Sequence, residues 1–178
     1  MKKQGITFLI CLIILLSAIG IFLPDKGVNK EYLRIHVRAD SNQAEAQAVK
    51  YDVKDAVVEY LTPIIALLDT KEKAQKRLSG ELENIQSVAN AILKAQGFNY
   101  TCKAKMKREN FPTRSYGSFT LEQGVYDAII LELGSGKGDN WWCVVYPPLC
   151  FTGESTGYQY KSKIYEIIQN FKEKREEK

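Results

Sequence analysis

The sequence predicts an α+β domain, a mostly antiparallel sheet of about four strands with helices packed on one face, preceded by an N-terminal apolar leader helix. Alternating apolar and polar residues predict strands, and apolar residues three or four positions apart predict helices. The 178 residues are 45% hydrophobic, which suits one domain with a single core and argues against disorder. The domain is predicted at 31–171, after a linker at 24–30 and before a charged tail at 172–178.

The first strand is predicted at Leu33–Arg38, where apolar and basic residues alternate as they do in a strand with one buried face. A helix-start signal follows at Asp40-Ser41-Asn42. Apolar residues then recur at helical spacing from Ala46 to Leu61, and Pro63 is expected to disturb this helix near its end.

A second helical stretch is predicted from Ala74 to Leu93 by the same apolar spacing. Asp69-Thr70-Lys71-Glu72 precedes it and resembles a capping box. Gly80 interrupts the stretch, so two helices are an alternative to one, and Gly97 stands where a left-handed C-cap belongs.

Three strands and a last helix are predicted in the second half of the chain. Residues 98–106 and 125–133 alternate, and 141–146 is a shorter apolar strand. A loop at 134–139 joins the last two strands, and helical spacing returns from Ile164 to Phe171.

An uncharged apolar run, Ile6 to Leu23, follows Lys2 and Lys3 near the start of the chain. As a helix its 18 residues would span about 27 Å, slightly less than the hydrocarbon thickness of a bilayer. Residues 1–23 are therefore predicted as a signal peptide or an uncleaved signal anchor, and both place residues 25–178 outside the cytoplasm. Membrane contact through this segment is expected only if it is not cleaved.

The cysteines beyond the leader are Cys102, Cys143 and Cys150. An odd number in an exported chain allows one disulfide and one free thiol. Cys143 and Cys150 flank a loop with two prolines, Pro147 and Pro148, whose turn would bring the sulfurs within bonding distance. Two unpaired buried thiols are the alternative. With His36 as the single histidine, no metal site is predicted.

Patterns that would carry enzyme chemistry are incomplete. Gly134, Gly136 and Gly138 lack the remaining residues of a phosphate-binding loop and favour a hairpin turn. A thiol nucleophile at Cys143 or Cys150 would have only the distant His36 as its base.

Paired carboxylates are the other candidate chemistry, with Asp127, Glu132 and Asp139 in the strand region. Asp127 and Glu132 have opposite parity on one strand, so they are expected to point to different faces. No catalytic or cofactor-binding residue is predicted, and a net charge of +4 does not indicate a nucleic-acid partner.

The segment Asn140–Phe151 contains adjacent tryptophans, Trp141 and Trp142. Because neighbouring strand residues face opposite sides, one indole can enter the core while the other stays near the surface. Burial of both, one on each side of a covered sheet, is the alternative. An exposed tryptophan is a common interface anchor. The segment Phe111–Gly117, rich in turn formers and aromatic residues, is either a packed loop or part of a binding surface.

Three segments together resemble the stage II sporulation protein R family of endospore-forming bacteria, over about residues 33–151. They are Arg34–Ser41, Phe111–Gly117, and a third segment that comprises Gly134–Gly138, Asn140–Cys143 and Pro147–Phe151. The chain departs from the family pattern at Asp40, where asparagine is frequent, and at Glu122-Gln123-Gly124, where Pro-Ala-Gly is frequent.

The resemblance implies a secreted signal without enzyme activity or cofactor. Such proteins are made in the forespore and exported into the intermembrane space. There they trigger a membrane-embedded aspartic protease of the mother cell, which removes the pro-sequence of sigma-E. We expect partner contacts near four residues: Arg114, Tyr116, Trp141 and Trp142. Structural roles in the family motifs are expected for His36, Asn140, Pro147 and Pro148. A cell-wall-associated hydrolase and a glycan-binding module are the alternatives.

Overall fold

The computed structural model describes residues 29–117, 119–152 and 158–177. The strands are β1 (Asn29–Arg38), β2 (Cys102–Phe111), β3 (Arg114–Tyr116), β4 (Phe119–Leu121), β5 (Gly124–Leu133) and β6 (Asn140–Tyr146). The helices are α1 (Ala44–Ile65), α2 (Lys71–Ser79), α3 (Leu82–Ala95) and α4 (Tyr158–Glu176), with a 3-10 turn at Leu149–Phe151. The predicted α+β class is confirmed, whereas the predicted leader at 1–23 lies outside the described residues.

The main sheet has four strands in the order β2-β5-β1-β6. Its two outer pairings are antiparallel, and the central pairing of β1 with β5 is parallel. The parallel pair joins strands far apart in the chain, and α1, α2, α3 and β2 lie in the connection between them. A separate hairpin of β3 and β4 completes the strands of the described chain.

The helices cover one face of the sheet, as predicted. Leu33, Ile35 and Val37 of β1 point into this layer and are buried against apolar residues of α1, α2 and α3. A smaller apolar cluster on the opposite face includes Phe111 and Leu121 from the ends of β2 and β4. The β3–β4 hairpin therefore shields one part of that face, next to the first half of β1.

Local signals position most helix ends. The Thr70 hydroxyl accepts a hydrogen bond from the Lys73 N–H at 3.2 Å, so the predicted capping box is an N-cap without the reciprocal glutamate. Gly80 separates α2 from α3, so the alternative of two helices is correct. Gly97 has φ +80°, and the Phe98 N–H donates to the Leu93 carbonyl at 2.9 Å, as in a Schellman motif.

Several boundaries differ from the sequence-based expectation. β1 begins at Asn29, inside the predicted linker. β2 spans residues 102–111 rather than 98–106, because the C-terminal cap of α3 uses Gly97 and Phe98. α4 continues to Glu176, into the segment predicted as a charged tail. Within the three described ranges, no helix combines the length and apolar character needed to cross a bilayer.

Candidate partner-binding face

Side chains from each of the three segments singled out in the sequence meet on the sheet face opposite the helices. We call this the open face and define it by the side chains of Arg34, His36 and Arg38 on β1, Glu109 on β2, Glu132 on β5, Trp142 on β6, and Arg114 and Tyr116 on β3. The alternation of β1 produces it, because the apolar side chains of Leu33, Ile35 and Val37 enter the helix layer and the basic ones turn away.

Arg34 anchors the hairpin to this face. Its side chain is fully buried (0% exposed), and its Nη2 donates a 2.6 Å hydrogen bond to the Tyr116 hydroxyl. Its guanidinium carbon lies 4.2 Å from the centre of the Phe111 ring and 4.9 Å from that of Tyr126. Burial lowers the pKa of Arg34 from its usual value, against the opposing effect of Tyr116. Aromatic rings and a phenol therefore surround this buried cation.

Trp142 lies beside this anchor and is partly exposed. Its ring centre is 5.4 Å from that of His36, and its backbone carbonyl is 3.4 Å from the Tyr116 hydroxyl. The exposed Arg114 guanidinium lies over the Trp142 ring, 4.4 Å from the ring centre. Because a cation already occupies this position, a sugar stacking there would have to displace it, and the structure gives the glycan-binding alternative no support.

Ion pairs occupy the rest of the open face. The His36 Nδ1–H donates to a Glu109 carboxylate oxygen at 2.9 Å, and Arg38 bridges Glu109 and Glu132. Lys105 pairs with Glu132 at 2.7 Å. Burial raises the pKa of Glu109, but the His36 hydrogen bond and the Arg38 charge outweigh it and leave that pKa below its usual value. The Lys105 hydrogen bond lowers the pKa of Glu132. Both carboxylates are therefore ionised at neutral pH.

The buried imidazole makes stability depend on pH. Burial lowers the pKa of His36 from 6.5, against the opposing effects of the Glu109 hydrogen bond and of nearby Asn140. The His36 imidazole binds a proton more tightly in the unfolded chain than in the folded one. Its stabilising contribution to folding is therefore complete above about pH 6.5 and declines below that pH. We expect the free energy of unfolding to fall by up to about 1.4 kcal/mol per pH unit below that point, and His36→Gln to remove this slope. Urea unfolding between about pH 5 and pH 8 measures it, and an unchanged slope in the variant would assign the titration to another group.

A loop clasp, formed by residues 39–42 and 134–139, sets the position of β6. The Asp40 carboxylate accepts from the Ser135 N–H at 2.6 Å, and the Gly138 N–H donates to the Ala39 carbonyl at 2.9 Å. Asn42 accepts from the Asp139 N–H at 2.6 Å. The predicted hairpin turn is wrong here, because β1 lies between β5 and β6 and the loop crosses its end.

The predicted contact residues separate into two groups. Arg114, Tyr116 and Trp142 come together on the open face. Trp141 points to the other face, where it packs against the main core and lies 5.7 Å from the Lys54 ammonium. The two indoles therefore face opposite sides and both are partly buried.

The predicted motif residues lie at the end of β1 and on either side of β6. Asn140 is exposed at the start of β6, where it pairs with Arg38 of β1. Pro147 and Pro148 are buried in the turn that follows the strand. This turn brings Cys150 back to Cys143, and the two form a disulfide with Cα atoms 5.9 Å apart.

The residues considered for catalysis have other roles in the structure. Cys143 belongs to the helix-side core, whereas His36 lies on the open face, so no thiol–imidazole pair forms between them. Cys102 is buried, and burial raises the pKa of its thiol to about 12. Asp127 pairs with Lys71 on the helix side, away from Glu132. Among the described residues, no group of three or more potential ligands is placed to hold a metal ion.

Sequence reasoning missed several residues of the open face. The basic residues of β1 were visible as an alternating pattern, but Glu109 and Glu132 lie more than 70 positions further along the chain. Only the pairing of β1 with β5, and of β5 with β2, places these carboxylates beside them. No local signal in the sequence identifies such partners.

Comparison with known proteins is consistent with these motifs. The family model described as Stage II sporulation protein R (spore_II_R) matches residues 29–156. Stage II sporulation protein R of Bacillus subtilis (strain 168) is 31% identical over 143 residues, which cover 80% of this chain and 62% of that protein. The chain thus spans less than two thirds of that relative's length. No solved structure matches it significantly. With a family match over most of its length, the chain belongs to the stage II sporulation protein R family.

Proposed function

We propose that this chain is an exported signal that activates a membrane-embedded aspartic protease, which then processes pro-sigma-E during endospore formation. Family membership supports a role in sporulation. In this proposal the apolar run at 6–23 directs the domain out of the forespore into the intermembrane space, as a cleaved signal peptide or as an anchor. The mother-cell protease meets it there.

The observation that carries the proposal is that side chains from all three family motifs, Arg34 and His36, Arg114 and Tyr116, and Trp142, meet on the open face. Helices cover the other face of the sheet, whereas on this one the hairpin shields one part and α4 contacts Tyr32 through Phe171 and Arg175. Arg114 and Trp142 remain accessible beside the buried Arg34–Tyr116 pair. Tryptophan and arginine are the residue types that most often anchor protein interfaces, and a rigid support lowers the entropy cost of binding.

Activation requires the open face to bind one state of the protease more tightly than another. A ligand shifts an equilibrium only by its differential affinity for the two states. Moving a protease from about 1% to about 99% active requires roughly 5.5 kcal/mol of such preference. A face that combines aromatic, cationic and hydrogen-bonding groups offers several contacts that can differ between two receptor states.

Co-expression in a non-sporulating host tests the proposal. The full-length chain, the candidate protease and the pro-sigma factor are produced together, and processing is followed by the mobility shift of the sigma factor. We expect processing only when all three are present. Omitting this chain, or replacing the catalytic aspartates of the protease, should abolish it. Absence of processing with three folded proteins would overturn the proposal.

A further inference from the structure

β2 is an edge strand whose outer side is capped along only part of its length. In the four-stranded sheet it pairs with β5 alone. The Cys102 N–H donates to the Asn90 side chain of α3 at 2.7 Å, and the Ala104 N–H donates to Gln86 at 3.1 Å. Helix α3 therefore supplies acceptors for the first outward-facing amides of the strand.

The second half of the strand has no such cover among the described residues. β2 pairs with β5 in unbroken register from Cys102 to Phe111, so outward and inward amides alternate. The N–H groups of Cys102 and Ala104 point away from β5. Those of Met106, Arg108 and Asn110, at the same parity, therefore do so too. No side chain of the described chain accepts from them. An uncapped strand edge is a template for an additional strand.

The charge around this edge is positive. The cations are Lys103, Lys105, Lys107 and Arg108 on β2, with Arg38 and Lys71 beside them, and the carboxylates they share are Glu109, Glu132 and Asp127. Six cations thus face three carboxylates, and the neutral His36 adds no charge. A second copy paired antiparallel over the same uncapped half would place Arg108 opposite Arg108 and bring two basic edges together, which is unfavourable. An acidic strand would complement the excess positive charge of this edge.

We propose that the outer edge of β2, from Met106 to Asn110, binds an extended acidic segment of a partner protein as a fifth strand of the sheet. Main-chain hydrogen bonds supply affinity in such strand addition, and the basic side chains supply the preference for acidic residues. The added strand would lie next to Lys107 and Glu109 and would extend the open face. The inference rests on the proposed function in assuming a protein partner.

Amide hydrogen exchange of the full-length chain in a non-ionic detergent tests this inference. The probe is a ten-residue peptide of alternating glutamate and valine, and its counterpart carries lysine in place of glutamate. We expect the acidic peptide to slow exchange in residues 106–110, and the lysine peptide to have no effect. Asn110→Pro removes one outward N–H at an exposed edge position and should weaken binding about tenfold.

The double variant Lys103→Gln/Lys107→Gln removes charge without altering the backbone and should also weaken binding about tenfold, most clearly at low salt. Lys76→Gln/Lys137→Gln, at exposed sites on α2 and in the 134–139 loop, is the matched control and should bind normally. If Asn110→Pro does not fold, peptide binding by the Lys103→Gln/Lys107→Gln variant tests the proposal alone.

Four outcomes would overturn the proposal: no protection by the acidic peptide, equal protection by the lysine peptide, protection that rises with protein concentration alone, and protection by anionic lipid vesicles alone. The co-expression assay distinguishes failure of the fifth-strand proposal from failure of the proposed function. Processing that needs this chain but is unaffected by Asn110→Pro and by Lys103→Gln/Lys107→Gln would reject the fifth strand and leave the signalling role standing.

Discussion

Trp142→Ala is expected to lower processing of pro-sigma-E about thirtyfold in the co-expression assay. A buried anchor at a protein interface typically contributes 2 kcal/mol or more, which corresponds to roughly that factor. The substitution also removes the ring over which Arg114 lies, so Arg114 loses the contact that positions its guanidinium. The measurement is the fraction of sigma factor processed at equal amounts of accumulated chain.

Two further variants distinguish a lost contact from a lost fold. Arg114 is exposed, so Arg114→Ala should leave the fold intact and still reduce processing about tenfold. Tyr51 on α1 is the matched control, because it is an exposed aromatic residue (48%) with the Lys50 ammonium 4.6 Å from its ring centre. The Tyr51→Ala variant should support normal processing of pro-sigma-E in the co-expression assay. If pro-sigma-E is fully processed with both the Trp142→Ala and the Arg114→Ala variant, the contact with the protease lies elsewhere on the molecule.

Gly138→Ala is expected to reduce the free energy of unfolding by about 3 kcal/mol, the largest stability effect predicted for a single methyl group in this chain. A Cβ at this position would overlap the carbonyl oxygen of Ser41 and lie 2.5 Å from its carbon. Both atoms are backbone, so the clash is relieved only by separating the two halves of the loop clasp. Urea unfolding of the full-length chain, followed by far-ultraviolet circular dichroism, measures the loss.

Gly80 provides the control for this substitution. A Cβ there has an ordinary contact, 3.4 Å from the Arg77 carbonyl oxygen, and the backbone of Gly80 is right-handed. Gly80→Ala should therefore change the free energy of unfolding by less than about 1 kcal/mol. Equal stability of the two variants would contradict the close packing of residue 138 against residue 41. Reduced processing by Gly138→Ala would also be expected, because the loop clasp positions β6 and with it Trp142.

Local periodicity was sufficient for most elements, because each depends on near neighbours in the chain, but it did not predict β3 and β4. Alternation located β1 and β5, helical spacing located the helices, and Gly97 marked a left-handed cap. The parity argument also separated Trp141 from Trp142, since adjacent strand residues always point to opposite faces. Parity alone does not say which indole faces the helices. That depends on which face of the sheet the helices cover, and this is set by tertiary packing.

The sequence by itself determined the α+β class, most elements and, through its motifs, the family. Tertiary structure alone decided that β1 lies between β5 and β6, which turns the expected hairpin loop into a clasp over the end of β1. It also decided that Arg34 is caged by aromatic rings and that Glu109 and Glu132 share Arg38. The physical reason is the separation of the partners along the chain. Periodicity records which side of an element is apolar, whereas the pairing of β1 with β5 and β6 and the ion pairs of Arg38 join residues more than 70 positions apart.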